Sequence, residues 1–267
     1  MIIIGELINT SRDGVEPAVK ERDKEFIQNL AKKQEEAGAD FIDVNCGTLI
    51  QEEPEALEWL VETVQEVVGV PLCIDSPNPE ALKQGLEAYH HDTPAIINSI
   101  TAESERYEEV LPLLQEYDTS VVALAMDDSG MPKTAEDRIN VATRLIEDLM
   151  SDGIAEENIY VDPLVQPIGT DVKMGVEILD AIDVITDKYE EIHITCGLSN
   201  ISHGLPMRKL LNQTYLVLAM SRGMDSAILD PLDEKIMSLA TTGHTLLGND
   251  KYCANYIKAA KSNKLTT

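Results

Sequence analysis

Phe41-Ile42-Asp43-Val44-Asn45-Cys46, then Glu55–Val68, then Leu72-Cys73-Ile74-Asp75-Ser76: these three segments decide the fold. The outer two are short and apolar and end on polar residues, as strands buried on both faces do. The middle one sets Ala56, Leu60, Val64 and Val67 three and four residues apart, which is one face of a helix. A strand, a helix and a second strand in that order imply parallel pairing, because a parallel neighbour is reached only through a crossover.

The same unit recurs outward in both directions. Further short apolar runs are Ile2–Glu6, Ala95–Ser99, Val121–Met126, Ile159–Asp162, His193–Ser199 and Ser226–Asp230. Helical periodicity returns in Thr134–Ser151, Met207–Met220 and Glu234–Leu247. Thr134-Ala135-Glu136-Asp137 has the form of a capping box, with Asp137 in place of the usual Glu. Eight strand signals alternating with helices in 267 residues predict an α/β protein, a single-domain TIM (β/α)8 barrel over 1–267. A doubly wound open sheet would carry a glycine-rich turn after its first strand. Here that turn, Gly5-Glu6-Leu7-Ile8-Asn9, holds one glycine.

Composition narrows the function classes. Charged residues make up 26% and hydrophobic residues 43%, which fits an ordinary globular chain. The 21 Lys+Arg against 48 Asp+Glu give a net charge of −27, which repels nucleic acid and anionic lipid. No run is long and apolar enough to read as a membrane span. Met1–Glu6 lacks a basic n-region and reads as a strand, not a signal peptide. Cys46, Cys73, Cys196 and Cys253 form no C-x-x-C pair, and three of them lie in apolar runs. A reducing cytoplasm is the expected compartment. A zinc site from Cys46, Cys73 and Cys196 would lack any structural-zinc spacing.

In a barrel, the functional site gathers at the C-terminal ends of the strands. The residues expected there are Glu6 and Asn9, Asp43 and Asn45, Asp75, Asn98, Asp127, Asp162, Ser199 and Asn200, and Asp230. Basic residues are almost missing from these ends. Carboxylates accept paired N–H donors, and carboxamides match an edge that alternates donor and acceptor. A heteroaromatic amino-oxo ring such as a pterin has that edge. A phosphosugar would ask instead for Lys, Arg or a glycine nest. Two other readings stay open. Asp43, Asp75 and Asp162 could hold a divalent cation, giving a metal-dependent lyase or hydrolase. The barrel could also bind a pterin without turning it over.

Seven segments occur in a familiar order. They are Gly5-Glu6-Leu7-Ile8-Asn9-Thr10, Asp43-Val44-Asn45, Cys73-Ile74-Asp75-Ser76, Ile97-Asn98-Ser99, Met126-Asp127-Asp128-Ser129-Gly130, Tyr160-Val161-Asp162-Pro163 and Gly197-Leu198-Ser199-Asn200-Ile201-Ser202. The chain resembles the pterin-binding methyltransferases that act between methyltetrahydrofolate and a corrinoid protein. The likeness runs from Met1 to about Lys258. It implies that Asp75, Asn98 and Asp162 hydrogen-bond the pterin ring, with Glu6, Asn9 and Ser199 beside them. Asn200 matches the asparagine that approaches N5, and Arg208 a basic position that shapes the site beyond. His203 stands where many relatives carry an aromatic residue or Gln; a histidine there could donate a proton or stack on a ring. The family takes folate as substrate and needs no metal in this subunit. Its cobalamin (corrinoid) is carried by a partner protein, and members are commonly homodimers.

Methyl transfer at N5 is a displacement at a tertiary amine, so N5 must be protonated or strongly hydrogen-bonded as its bond to methyl breaks. Asn200 can donate such a bond, strengthening as charge builds on N5. No Ser-His-Asp or Cys-His arrangement argues for covalent catalysis. The same constellation serves both directions of transfer.

Overall fold

The computed structural model describes residues 1–266; Thr267, the last residue of the expected 1–267 domain, lies outside them. Eight strands appear where the apolar runs predict them. They are β1 (Ile2–Asn9), β2 (Phe41–Asn45), β3 (Leu72–Asp75), β4 (Ala95–Ala102), β5 (Thr119–Asp127), β6 (Ile159–Asp162), β7 (His193–Ile194) and β8 (Ser226–Leu229). All pair in parallel, in the order β7-β6-β5-β4-β3-β2-β1-β8. Gly197 bridges to Ile228, and the Ile228 amide donates to the Cys196 carbonyl at 2.9 Å, which joins the two edges into a barrel.

Two layers of packing follow from strand alternation. Ile4, Cys73, Ile96, Val122, Tyr160 and Ile228 form a small cluster apart from the main core, one side chain from each of six strands, and all are buried. This cluster is the barrel interior. The opposite faces of the strands join the helices in the main core, where Ile42, Ile74, Ile97, Val121 and Val161 are fully buried. The helices facing the strands include α1 (Val15–Lys20) and α2 (Lys24–Ala37) before β2, and α3 (Glu53–Gln65) and α4 (Pro79–Ala88) flanking β3. Then come α5 (Ser104–Glu116), α6 (Ala135–Ser151), α7 (Met174–Lys188), α8 (Arg208–Met220), α9 (Glu234–Leu246) and α10 (Ala254–Lys261). The capping box opens α6 as expected, with Thr134 accepting from the Asp137 amide and Asp137 accepting from the Thr134 amide.

Two departures from the sequence reading, in β1 and β7, shape the site. β1 continues through Glu6 to Asn9 after a register shift between Gly5 and Ile8. The shift frees the Leu7 amide, and buried Gln34 of α2 accepts from it at 3.0 Å. Gln34 can come this close only because residue 5 is glycine: a Cβ there would stand 2.5 Å from the Gln34 Oε1. β7 keeps two residues of the expected His193–Ser199, and Leu198–Ser202 is a 3-10 turn. That turn lifts Asn200 out of the sheet and onto the barrel mouth.

Candidate active site

A cavity of about 390 Å³ opens at the C-terminal ends of the strands. Seven of the nine expected site residues line it: Glu6, Asn9, Asp75, Asn98, Asp162, Ser199 and Asn200. Asp43 lines it as well. The remaining two, His203 and Arg208, sit in a neighbouring cavity of about 560 Å³ that shares Glu6, Ser199 and Asn200. A third lobe of about 430 Å³, with Leu124, Met126, Leu164 and Pro167 in its wall, opens past Asn200 and His203 on the other side. Asn200 therefore stands where all three spaces meet.

Register explains the grouping. Asn45, Asp75 and Asn98 are direct partners across β2, β3 and β4. Same-row residues on neighbouring parallel strands present their side chains side by side. The Asn45 side chain hydrogen-bonds Asp75, and its own Oδ1 accepts from the Gly47 amide at 3.1 Å. Across the barrel, Asp162 accepts from the Leu164 amide at 2.8 Å. Asn9 accepts from the backbone amide and hydroxyl of Ser11, at 2.9 and 2.6 Å.

The electrostatics are those of carboxyl groups held in a poorly hydrated wall. Burial pushes Asp75 up to about 6; the Asn45 hydrogen bond opposes the rise and the charge of Glu53 adds to it. Burial likewise pushes Asp162 up to about 6, against backbone N–H groups of Leu164, Val165 and Gly197. Asp43 is likewise raised, chiefly by burial and then by the charge of Asp75, and its Oδ1 has no hydrogen-bond partner. An orphaned buried carboxyl oxygen is costly unless a ligand pairs with it. Glu6 is raised by burial, with the ion-paired Arg12 guanidinium pulling the other way. A wall of buried carboxyls and carboxamides is complementary to a ring that presents both N–H donors and acceptors.

Two expected strand-end residues do not join the ring. Asp127 turns aside, accepting from the Ser129 amide at 2.9 Å and from Arg144 at 2.8 Å. Asp230 caps its own loop by accepting from the Leu232 amide at 2.9 Å, and it faces the neighbouring cavity. For these two, the side chain serves the turn.

The expected scarcity of basic groups is corrected in space. Arg12, Arg106, Arg138 and Arg208 all reach the strand ends from loops or helices. Arg138 had one legible signal: it lies four residues before Ala142, on the apolar face of α6, and is fully buried. Arg106 had none, because its partners are distant in sequence; Arg12 reaches back only six residues to Glu6, but that spacing marks no helix face and β1 ends between the two.

The cysteines do not come together. Cys46 donates to the Glu53 carbonyl, Cys196 approaches the Met224 sulfur, and Cys73 belongs to the barrel interior. Burial pushes the Cys46 thiol up to about 12 and raises those of Cys73 and Cys196 as well, as for inert core thiols. Among the described residues no three His, Cys, Asp or Glu side chains form a group able to hold a metal. The zinc arrangement and the Asp43–Asp75–Asp162 cation site therefore lack the geometry they need. Among the described residues no helix is long and apolar enough to cross a membrane.

A closed parallel barrel with a carboxylate and carboxamide ring at its mouth defines a class of enzyme that holds a heteroaromatic ring at the strand ends. The chain belongs to the pterin binding enzyme family, which matches residues 5–230. It is 39% identical to the methylcorrinoid:tetrahydrofolate methyltransferase of Eubacterium limosum, over 99% of this chain and 98% of that one. It is 30% identical to the methionine synthase of Mycobacterium tuberculosis, over 85% of this chain but only 20% of that larger protein. Among solved structures, dihydropteroate synthase from Xanthomonas albilineans, in complex with 7,8-dihydropteroate, shares the fold with a TM-score of 0.69. That likeness covers 92% of this chain and 93% of that one, at 19% identity.

Proposed function

We propose that this enzyme moves a methyl group between N5 of tetrahydrofolate and the cobalt of a corrinoid carried by a partner protein. The single observation behind this is the row formed by Asp75 and Asn98, facing Asp162 across one cavity with Asn200 at its rim. The full-length similarity to the Eubacterium limosum enzyme supports the same reading. In it, Asp75, Asn98 and Asp162 hold the pterin edge, with Glu6, Asn9 and Ser199 completing the wall. Asn200 donates a hydrogen bond to N5 as charge develops there. His203, exposed beside Asn200, is assigned in this reading to stack on the ring or donate a proton there. The bound corrinoid supplies the cobalt that gives or accepts the methyl group, and the residues of this chain orient the folate toward it.

The test is single-turnover transfer from a methylated corrinoid protein to tetrahydrofolate, read from the cobalt spectrum with EDTA present. Transfer that persists supports the reading. Loss with EDTA, restored by a divalent metal, would return the metal-dependent alternative, and pterin binding without turnover would make the barrel a carrier.

The cytoplasm is the compartment in which we place it, on the free buried cysteines. We also propose a homodimer formed through α7 and α8. Val176 and Val184 on one helix and Leu210, Val217 and Leu218 on the other are exposed, at 60, 46, 59, 39 and 48%. Val176 and Val184 are eight residues apart, as are Leu210 and Leu218, with Val217 seven from Leu210, so each set falls close to one helix face. Sedimentation of wild type against Leu218→Glu tests it; a wild-type monomer would end it.

A further inference from the structure

Three arginines stand behind the candidate site, and each addresses the backbone next to a residue of that site. Arg106, on α5, makes four hydrogen bonds to three carbonyls. Its Nε and Nη2 donate to the Ser99 carbonyl at 3.0 and 2.7 Å, Nη2 also to Ser76 at 2.8 Å, and Nη1 to Pro77 at 2.7 Å. Ser76 follows Asp75, and Ser99 follows Asn98. Asp75 and Asn98 are themselves register partners, and the Ser76 amide donates to the Asn98 carbonyl at 3.0 Å. One guanidinium thus ties together the two strand ends that carry them.

Arg208, the first residue of α8, does the same for Asn200. Its Nη2 donates to the Ser199 carbonyl at 2.8 Å and its Nε to the Ser202 hydroxyl at 3.1 Å. These two contacts bracket Asn200 within its 3-10 turn. Arg138 repeats the pattern in the core, donating to the carbonyl of Pro163, which follows Asp162, at 3.0 Å. Each guanidinium spends hydrogen bonds on these loops, where its planar fork spans acceptors that a single ammonium cannot. In a chain with 21 basic residues against 48 acidic ones, three of them converge behind one cavity.

We infer that Arg106 and Arg208 are separate positioning residues, Arg106 for the pair that holds the ring and Arg208 for the group that acts at N5. The inference rests on the methyl-transfer reading and assigns two distinct kinetic roles within it. A loop displaced by a fraction of an ångström at Asp75 and Asn98 weakens binding. The same displacement at Asn200 leaves the ring held and slows the chemistry.

The experiment compares Arg106→Met, Arg106→Lys, Arg208→Met and Arg208→Lys with wild type. Tetrahydrofolate affinity is read by calorimetry, bound-state methyl transfer by stopped flow, and folding by thermal melting. Arg106→Met is expected to lose about tenfold or more in affinity, with the bound-state rate within about threefold. Arg208→Met is expected to do the reverse. The lysine variants keep the charge without the fork, so they recover less than half of each loss on a logarithmic scale. If both positions alter the same parameter, or if melting falls while affinity and rate stay at wild-type values, the arginines are structural only and the inference is overturned. A wild-type protein that neither binds tetrahydrofolate nor transfers methyl refutes the functional reading itself, and this inference with it. A competent wild type with kinetically silent variants refutes this inference alone.

Discussion

A Cβ added to Gly197 would stand 2.9 Å from Nδ2 of Asn200. The carboxamide of Asn200 folds back over the one residue in its turn that lacks a side chain, and the Asn200 amide donates to the Gly197 carbonyl at 3.1 Å. The atom that must yield is the far end of a side chain at the surface, so the fold tolerates the change while the carboxamide does not stay in place. Gly197→Ala should melt within a few degrees of wild type, roughly ±1 kcal/mol. Its methyl-transfer rate should fall about tenfold or more, approaching Asn200→Ala, for which loss of one preorganised donor predicts ~10–1,000-fold. Single-turnover stopped flow measures both. His203→Phe is the control, and a loss as large as that of Asn200→Ala would move the proton-donor role to His203.

Asp75 and Asp162 approach the cavity from different strands, so they should act on the ring independently. Removing either carboxyl leaves ring N–H donors without partners in a poorly hydrated wall. Asp75→Ala and Asp162→Ala should each weaken tetrahydrofolate binding by ~1–3 kcal/mol, with little change in the bound-state rate. Calorimetry decides; wild-type affinity in both variants would remove them from the pterin site.

These residues were legible because each ends an apolar run, and in parallel strands the run's end is the site's address. Eight runs and a closed barrel were readable for the same reason. Asp127 and Asp230 satisfy the same sequence rule yet stand outside the ring. Both accept from a backbone donor two residues on, as Asp162 does from Leu164, so that turn alone does not divide them; Asp127 is held aside by its pair with Arg144, and Asp230 faces the neighbouring cavity. The two-residue β7 was hidden because His193–Ser199 is apolar enough for a full strand; only contact with β8 reveals where the chain lifts away. Arg106 was invisible for a different reason: it reaches Ser76 across 30 residues, and no local pattern encodes such a contact, whereas Arg208 stood among the expected site residues.

The chain's charge of −27 carries its own consequence at the barrel mouth. A corrinoid protein that docks there with a basic face is steered by that charge, whereas free cobalamin is not. Raising ionic strength from about 0.05 to 0.5 M should cut kcat/KM for the protein partner on the order of tenfold and leave the small acceptor nearly unchanged. Parallel salt profiles for the two acceptors would mean that the acidic surface only keeps the protein in solution.

Asp75 and Asp162 also set a pH dependence whose sign differs between the free and the liganded enzyme. Both carboxyls rise from an ordinary 3.8 to about 6 in the fold, chiefly through burial. A carboxyl raised in the native state binds its proton more tightly there than in the unfolded chain. Its contribution to stability is therefore fully present below about 4 and is lost as pH climbs through about 6. In the proposed reading tetrahydrofolate offers its N–H donors to the ionised forms, so ligand and proton would compete for the same oxygens. The thermal shift produced by saturating tetrahydrofolate should be several-fold larger at about pH 8 than at about pH 5. Asp75→Asn and Asp162→Asn, which cannot ionise, should each flatten that dependence. Melting curves at a series of pH values, with and without ligand, measure it. A ligand-induced shift that is constant across that range, or larger in acid, would mean that the ring is held by the protonated carboxyls instead.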